Sequence, residues 1–229
     1  MSNPLSLISF AAAARGGSID GTDSRLLVAA GVTMLQRCAP LVRELSGGRG
    51  AVLMPDSAAY LAALAACEGR GAVLVDPGAP PEEIARALEE SGARVVFTVE
   101  RFAEKLEGAV PRVLLDELPG HVAFVHGTER RRVDVGSHFG LEIAGEEESE
   151  GSDEEAIVAR ERAGEPFRSF THGELLGAAR GMVIAQGIEE GDEVRSSLPF
   201  HQTHGLVAGL LAPLLAGARV VTRPTDVTS

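Results

Sequence analysis

The sequence has no tryptophan and one tyrosine, and aromatic residues make up only 4% of its 229 positions. Single-stranded nucleic acids are held on aromatic faces, so this composition argues against that class of ligand. Bases are also scarce: 21 Lys and Arg stand against 33 Asp and Glu, for a formal net charge of −12. A surface of that sign repels nucleic acid backbones and anionic membranes. With only Cys38 and Cys67, a disulfide framework is excluded. Both lie in segments of helical pattern and read as reduced, buried thiols. No apolar run approaches the roughly 20 residues of a membrane span. The N-terminus lacks a basic stretch followed by a long apolar run. The expectation is a soluble, cytoplasmic chain with no nucleic acid and no membrane among its partners.

Hydrophobic residues make up 45% of the sequence, mainly Ala, Leu and Val. That is enough for a core without disulfides or metals. Residues 1–25 read as a loosely held segment with one short strand or helix. Apolar spacing predicts a helix over 25–45, interrupted by Pro40 and ended by Gly47-Gly48. A clear repeat follows: strand 51–54, helix 58–67, strand 72–75, a helix opened by Pro80-Pro81-Glu82-Glu83 and closed at Gly92, strand 94–98, short helix 100–106, strand 112–115. Asp56 or Ser57 is the expected N-cap of the first of these helices. Short apolar strands alternating with helices mean parallel pairing with helices on the faces, an α/β fold of βαβ repeats.

After Leu118 the pattern weakens, with one or two strands expected at 121–125 and 132–135. His121, His126 and His138 fit no metal motif, and no bound metal is expected. The run 142–155 holds eight acids and no base, the mark of an extended, solvated linker. A strand at 156–159 leads into a loop at 160–170. Thr171 and Glu174 have capping-box spacing for a helix ending at Gly187. Strand 193–197, an apolar helix 204–216, Gly217 and strand 218–222 complete the pattern. The organisation expected is a first α/β subdomain at 1–118, an irregular segment with the acidic linker at 119–155, and a second, incomplete α/β subdomain at 156–229.

The stretch 51–98, AVLMPDSAAYLAALAACEGRGAVLVDPGAPPEEIARALEESGARVVFT, is similar to the N-terminal part of acyl-CoA synthetases and related adenylate-forming (AMP-binding) ligases. Asp76-Pro77 stands where that family has Asn-Pro. Thr171-His172 matches the Thr-His that follows its phosphate loop, and PFHQTHGL at 199–206 resembles its P-l-f-H-x-x-G-l. The resemblance implies a reaction in which ATP and magnesium adenylate a carboxylic acid and coenzyme A takes the acyl group. It covers only the first portion of the family's length. The adenine- and ribose-binding motifs, and the small domain with its catalytic lysine, have no counterpart in 1–229.

The family's phosphate loop reads approximately T-S-G-T-T-G-x-P-K-G. Aligned on Gly164-Glu165-Pro166, this chain has Glu161 in place of a glycine and Phe167 in place of the lysine. A carboxylate about 5 Å from a phosphate charge costs roughly 3 kcal/mol at an effective dielectric near 20. Arg160, Arg162 and Arg168 are the candidates to hold phosphate in the lysine's place, with Gly164 and Thr171 as the remaining loop residues. His201 and His204 are the catalytic candidates, although the family's histidine, anchored on Gly205, falls at Gln202.

Two functions follow. One is an adenylate-forming domain that keeps the scaffold without catalysing alone, acting as a binding or interaction module or as half of a split acyl-activating enzyme. The alternative is an active acyl-activating enzyme or its N-terminal fragment. The partners expected are a second copy or a complementary half, and an acyl or carboxylate ligand. The docking surface expected for the missing half is the apolar helix 206–215 with the strand ending at Val221.

Overall fold

The computed structural model describes residues 15–38, 48–67, 71–106, 110–118, 120–135, 155–160 and 164–222. The repeat anticipated from the apolar pattern is present. Strand β3 (Arg49–Leu53) leads to α2 (Ala58–Ala66), β4 (Ala72–Leu74) to α3 (Pro81–Ser91), and β5 (Ala93–Thr98) to the short α4 (Glu100–Ala103) and β6 (Arg112–Leu114). These strands pair in parallel, in the order β4-β3-β5-β6. Strand β9 (Glu155–Ala159) adds in parallel beside β4. Antiparallel strands close both edges: β10 (Arg168–Thr171) beside β9, and the hairpin β7 (His121–His126) and β8 (Glu129–Asp134) beside β6. The sheet of eight is mixed, with a parallel centre.

A second, four-stranded sheet joins the two ends of the described chain. Strand β1 (Ser18–Ile19) pairs with β12 (Arg219–Val221), flanked by β2 (Thr22–Asp23) and β11 (Glu193–Arg195). Sequence order and sheet membership therefore interleave. Strands β9 and β10 lie in the large sheet with β3–β6, and β1 lies in the small sheet with β11 and β12.

Alternate residues of the central strands feed two cores, as the strand pleat requires. Ala51 and Leu53 of β3 face a cluster with Ile84 and Leu88 of α3 and Phe102 of α4. Val52 faces the opposite side, into a larger cluster. That cluster takes in α1 (Ser24–Cys38), α2, α5 (His172–Gln186) and the last helical run, together with Ile19 and Val220 of the small sheet. Cys38 and Cys67 are both buried and unbonded to each other, and burial pushes the Cys38 thiol up to about 11. Helices α1 and α2 cross closely at Gly31. A Cβ there would meet the Ala62 carbonyl oxygen and stand 2.6 Å from the Ala65 Cβ.

Helix punctuation follows the sequence. Gly92, Gly187 and Gly217 end their helices in the left-handed conformation. The Thr171–Glu174 capping box is formed.

Five expectations are corrected. The 160–170 loop contains β10, because the strand 168–171 finds an antiparallel partner in β9. Asp56 and Ser57 make no side-chain cap of α2; Asp56 is engaged elsewhere. The 132–135 strand begins earlier, at Glu129, because it is the return arm of a hairpin. The last helical run is not one α-helix: Thr203–Leu206 (α6) passes through a π turn, Val207–Leu211, into Ala212–Ala216 (α7). Pro213 has no amide hydrogen to give Gly209, and the Ala212 amide bonds five residues back to Val207. Finally, the apolar run 206–215 turns inward. Leu206, Leu210, Leu211 and Leu214 are buried in the main core, as is Val220. It is not an outer docking face. Pro40, Gly47, His138, Arg162 and the acidic run up to 154 lie outside the described residues.

Candidate functional site

The parallel strands β3, β4 and β9 all end on the same edge of the large sheet. Beyond them come the turns 54–57 and 75–80, and Arg160 with residues 164–167. Ligands of open α/β sheets gather at such an edge.

One cluster is built here from distant segments. Asp56, after β3, accepts a hydrogen bond from the Phe200 amide into Oδ1 at 2.8 Å. That bond clasps the turn before α6 to the first βα unit. His201 follows, with Nε2 3.7 Å from Oδ1 of Asp76, the residue after β4. The Phe200 ring meets Tyr60 of α2 edge-on, with centroids 5.5 Å apart. Gly205 is required in this turn, since any Cβ there would collide with the Pro199 carbonyl.

Burial dominates the electrostatics of this cluster. Desolvation raises Asp56 above the usual carboxylate range, opposed by the bond from Phe200 and the nearby His201. Desolvation likewise holds His201 below its ordinary 6.5, opposed by Asp76 and Asp56. The imidazole is therefore neutral at pH 7, able to accept a proton but not to act as a fixed cation. Tyr60 is fully buried and pushed well above 10, first by desolvation and then by Asp56 and Cys67. Its hydroxyl is buried without a hydrogen-bond partner.

The second part is the β9–β10 hairpin, where the family's phosphate loop would fall. Arg160 opens its loop, and the guanidinium bonds to Glu90 in the last turn of α3. It also stacks on Phe167, 4.0 Å from the ring centroid, and the side chain is only 15% exposed. The charge of Arg160 is thus already answered by a carboxylate. Arg168 is exposed on β10, 5.5 Å from the Phe170 centroid. Gly164 takes the left-handed conformation at φ +82°. The Thr171 hydroxyl accepts the Glu174 amide at 3.2 Å, and the Thr171 amide donates to Glu174 Oε2 at 2.8 Å. That hydroxyl belongs to the helix cap. His204 is exposed on α6. The structure therefore joins His201 to Asp56 and Asp76, and leaves His204 and Thr171 outside that cluster. Among the described residues no group of three or more His, Cys, Asp or Glu is placed to hold a metal ion.

Sequence reasoning did not name Asp56, Asp76 or Glu90 as site residues. Asp76 carried a signal, since it fills the family's Asn-Pro position. Asp56 and Glu90 carried none, because their partners are 144 and 70 residues away.

No protein-family model matches the chain. Among solved structures, the N-terminal domain of FACL13 from Mycobacterium tuberculosis superposes with a TM-score of 0.71 at 17% identity, over 98% of this chain and 57% of that one. The O-succinylbenzoate coenzyme A synthetase of Bacillus subtilis gives a TM-score of 0.65 at 24% identity, over 90% of this chain and 52% of that one. This chain carries the N-terminal fold of the adenylate-forming ligases. In sequence, the chain is 26% identical to the mitochondrial malonate–CoA ligase of Mus musculus over 207 residues, 88% of this chain. It spans 34% of that ligase's length. Among the described residues no helix is long and apolar enough to cross a membrane.

Proposed function

We propose that this adenylate-forming-like domain does not activate acids alone and works as a binding module completed by a partner, a complementary half of a split acyl-activating enzyme or a second copy. The observation that carries this reading is the state of Arg160. Its guanidinium is bound to Glu90 and stacked on Phe167, while Thr171 is consumed by its cap. Of the candidate phosphate ligands among the described residues, Arg168 is the exposed cation. One exposed arginine is a weak hold for a triphosphate, since surface charge pairs contribute about 0–1 kcal/mol. Ile184, 82% exposed on α5, is a large apolar residue that a partner would cover. The test is carboxylate-dependent pyrophosphate exchange by the purified chain with MgATP. No exchange is expected, and exchange above a no-acid blank would overturn the reading.

The alternative, an active acyl-activating enzyme or its N-terminal fragment using ATP, magnesium and coenzyme A on a carboxylic acid, draws on one observation. The hairpin and its left-handed Gly164 are kept in place, and the similar B. subtilis synthetase is in complex with ATP and magnesium ion. This reading requires MgATP to raise the melting temperature, because a ligand bound only to the native state stabilises it. Loss of that rise in Arg168→Ala would support it, and a flat melting temperature up to millimolar MgATP would exclude it.

A further inference from the structure

From β3 the chain passes to β4 on one side of it and then crosses to β5 on the other. The boundary between β3 and β5 is thus the switch point of the large sheet. Connections diverge there and leave a crevice at the carboxyl ends of the two strands, the usual ligand position in open α/β sheets. A cavity of about 530 Å³ opens at this place, within the size range of small-molecule sites. It is separate from the His201 cluster. Pro55 and Ser57 line it, while Asp56 between them turns its carboxylate to Phe200.

The lining carries both signs of charge over an apolar base. Leu27 and Leu115, both buried, supply the base. Arg101 brings a guanidinium, and Ser57 a hydroxyl that makes no capping bond to α2. Asp20 and Asp116 bring carboxylates, and each is fixed in orientation. Asp20 accepts from the Thr222 amide and hydroxyl at 2.8 and 2.6 Å, and Asp116 accepts from the Glu100 amide at 2.9 Å. A simple anion would face two carboxylates, and a simple cation would face Arg101. A ligand with both charges answers both, and an apolar tail would cover the leucines.

We propose that this cavity binds a small zwitterion with an aliphatic tail, an α-amino acid of about leucine's size. Its carboxylate lies toward Arg101 and Ser57, and its ammonium toward Asp116 and Asp20. The site uses neither the 160–167 loop nor a nucleotide, so it stands apart from the proposed function.

Calorimetric titration of the full chain without nucleotide tests it, using L-leucine, 4-methylpentanoate (which lacks the amine) and 3-methylbutylamine (which lacks the carboxylate). Leucine is expected to bind at least tenfold more tightly than either analogue. Asp116→Asn keeps an oxygen for the Glu100 amide but loses the charge, and is expected to weaken leucine at least tenfold. Arg101→Gln, at an exposed position, is expected to do the same. No leucine binding would overturn the proposal. So would equal binding of 4-methylpentanoate, or wild-type leucine affinity in both variants.

Discussion

Replacing Asp56 with alanine would remove the acceptor of the Phe200 amide, the bond that clasps the turn before α6 to the first βα unit. Phe200 is fully buried, and leaving a buried donor unpaired costs about 1–3 kcal/mol. Part of that loss is offset, because the buried carboxylate is itself disfavoured, as its raised pKa records. The net destabilisation expected is about 1–2 kcal/mol. With a urea slope near 2 kcal/mol per M, the unfolding midpoint falls by roughly 0.5–1 M. Asp56→Asn isolates the cause. It keeps the oxygen that accepts the Phe200 amide and discards the charge, so its midpoint should match wild type or exceed it. The reasoning is refuted if alanine leaves the midpoint unchanged, or if asparagine is as damaging as alanine.

Other outcomes follow from the same site and core. His201 has a folded pKa below its unfolded 6.5, so the unfolded chain takes up the proton more readily. Its contribution is fully present above pH 6.5 and is lost as pH falls from there through the lower folded pKa. Urea midpoints at pH 7.5 and 5.5 should therefore differ less in His201→Gln than in wild type, and equal differences would exclude the assignment. Tyr60→Phe deletes a buried hydroxyl that has no partner. It should leave thermal stability unchanged or raise it by up to about 1 kcal/mol, where a hydrogen-bonded tyrosine would lose that much. Gly31→Ala drives a methyl group into the α1–α2 crossing and should cost about 1–3 kcal/mol in chemical denaturation; a neutral result would mean the two helices part easily.

Much of the fold was legible because it is local. Strands β3 to β6 are short apolar runs bounded by Gly and Pro, and their alternation with helices forces parallel pairing. The helix stops at Gly92, Gly187 and Gly217, and the Thr171–Glu174 box, are one-turn interactions that spacing alone specifies. What escaped reading depends on partners far along the chain. Asp56 has the side chain of an N-cap, yet the amide it satisfies belongs to Phe200. Strand β10 is polar and half exposed, and only β9 beside it makes it a strand. The run 206–215 is apolar on every side, a pattern equally consistent with a covered interface and a central helix. The small sheet, closed through Ile19 and Val220, puts it inside. Arg160 reads as a phosphate ligand because its charge is visible in the sequence, while Glu90, on a helix 70 residues earlier, is not.

We propose that the scaffold is kept while the phosphate grip is lost. Titration of the purified chain with MgATP by calorimetry tests it most directly. The account predicts no saturable heat up to millimolar nucleotide, with Arg168→Ala indistinguishable from wild type. Micromolar binding that Arg168→Ala abolishes would contradict it and show that the 160–167 loop still holds the triphosphate.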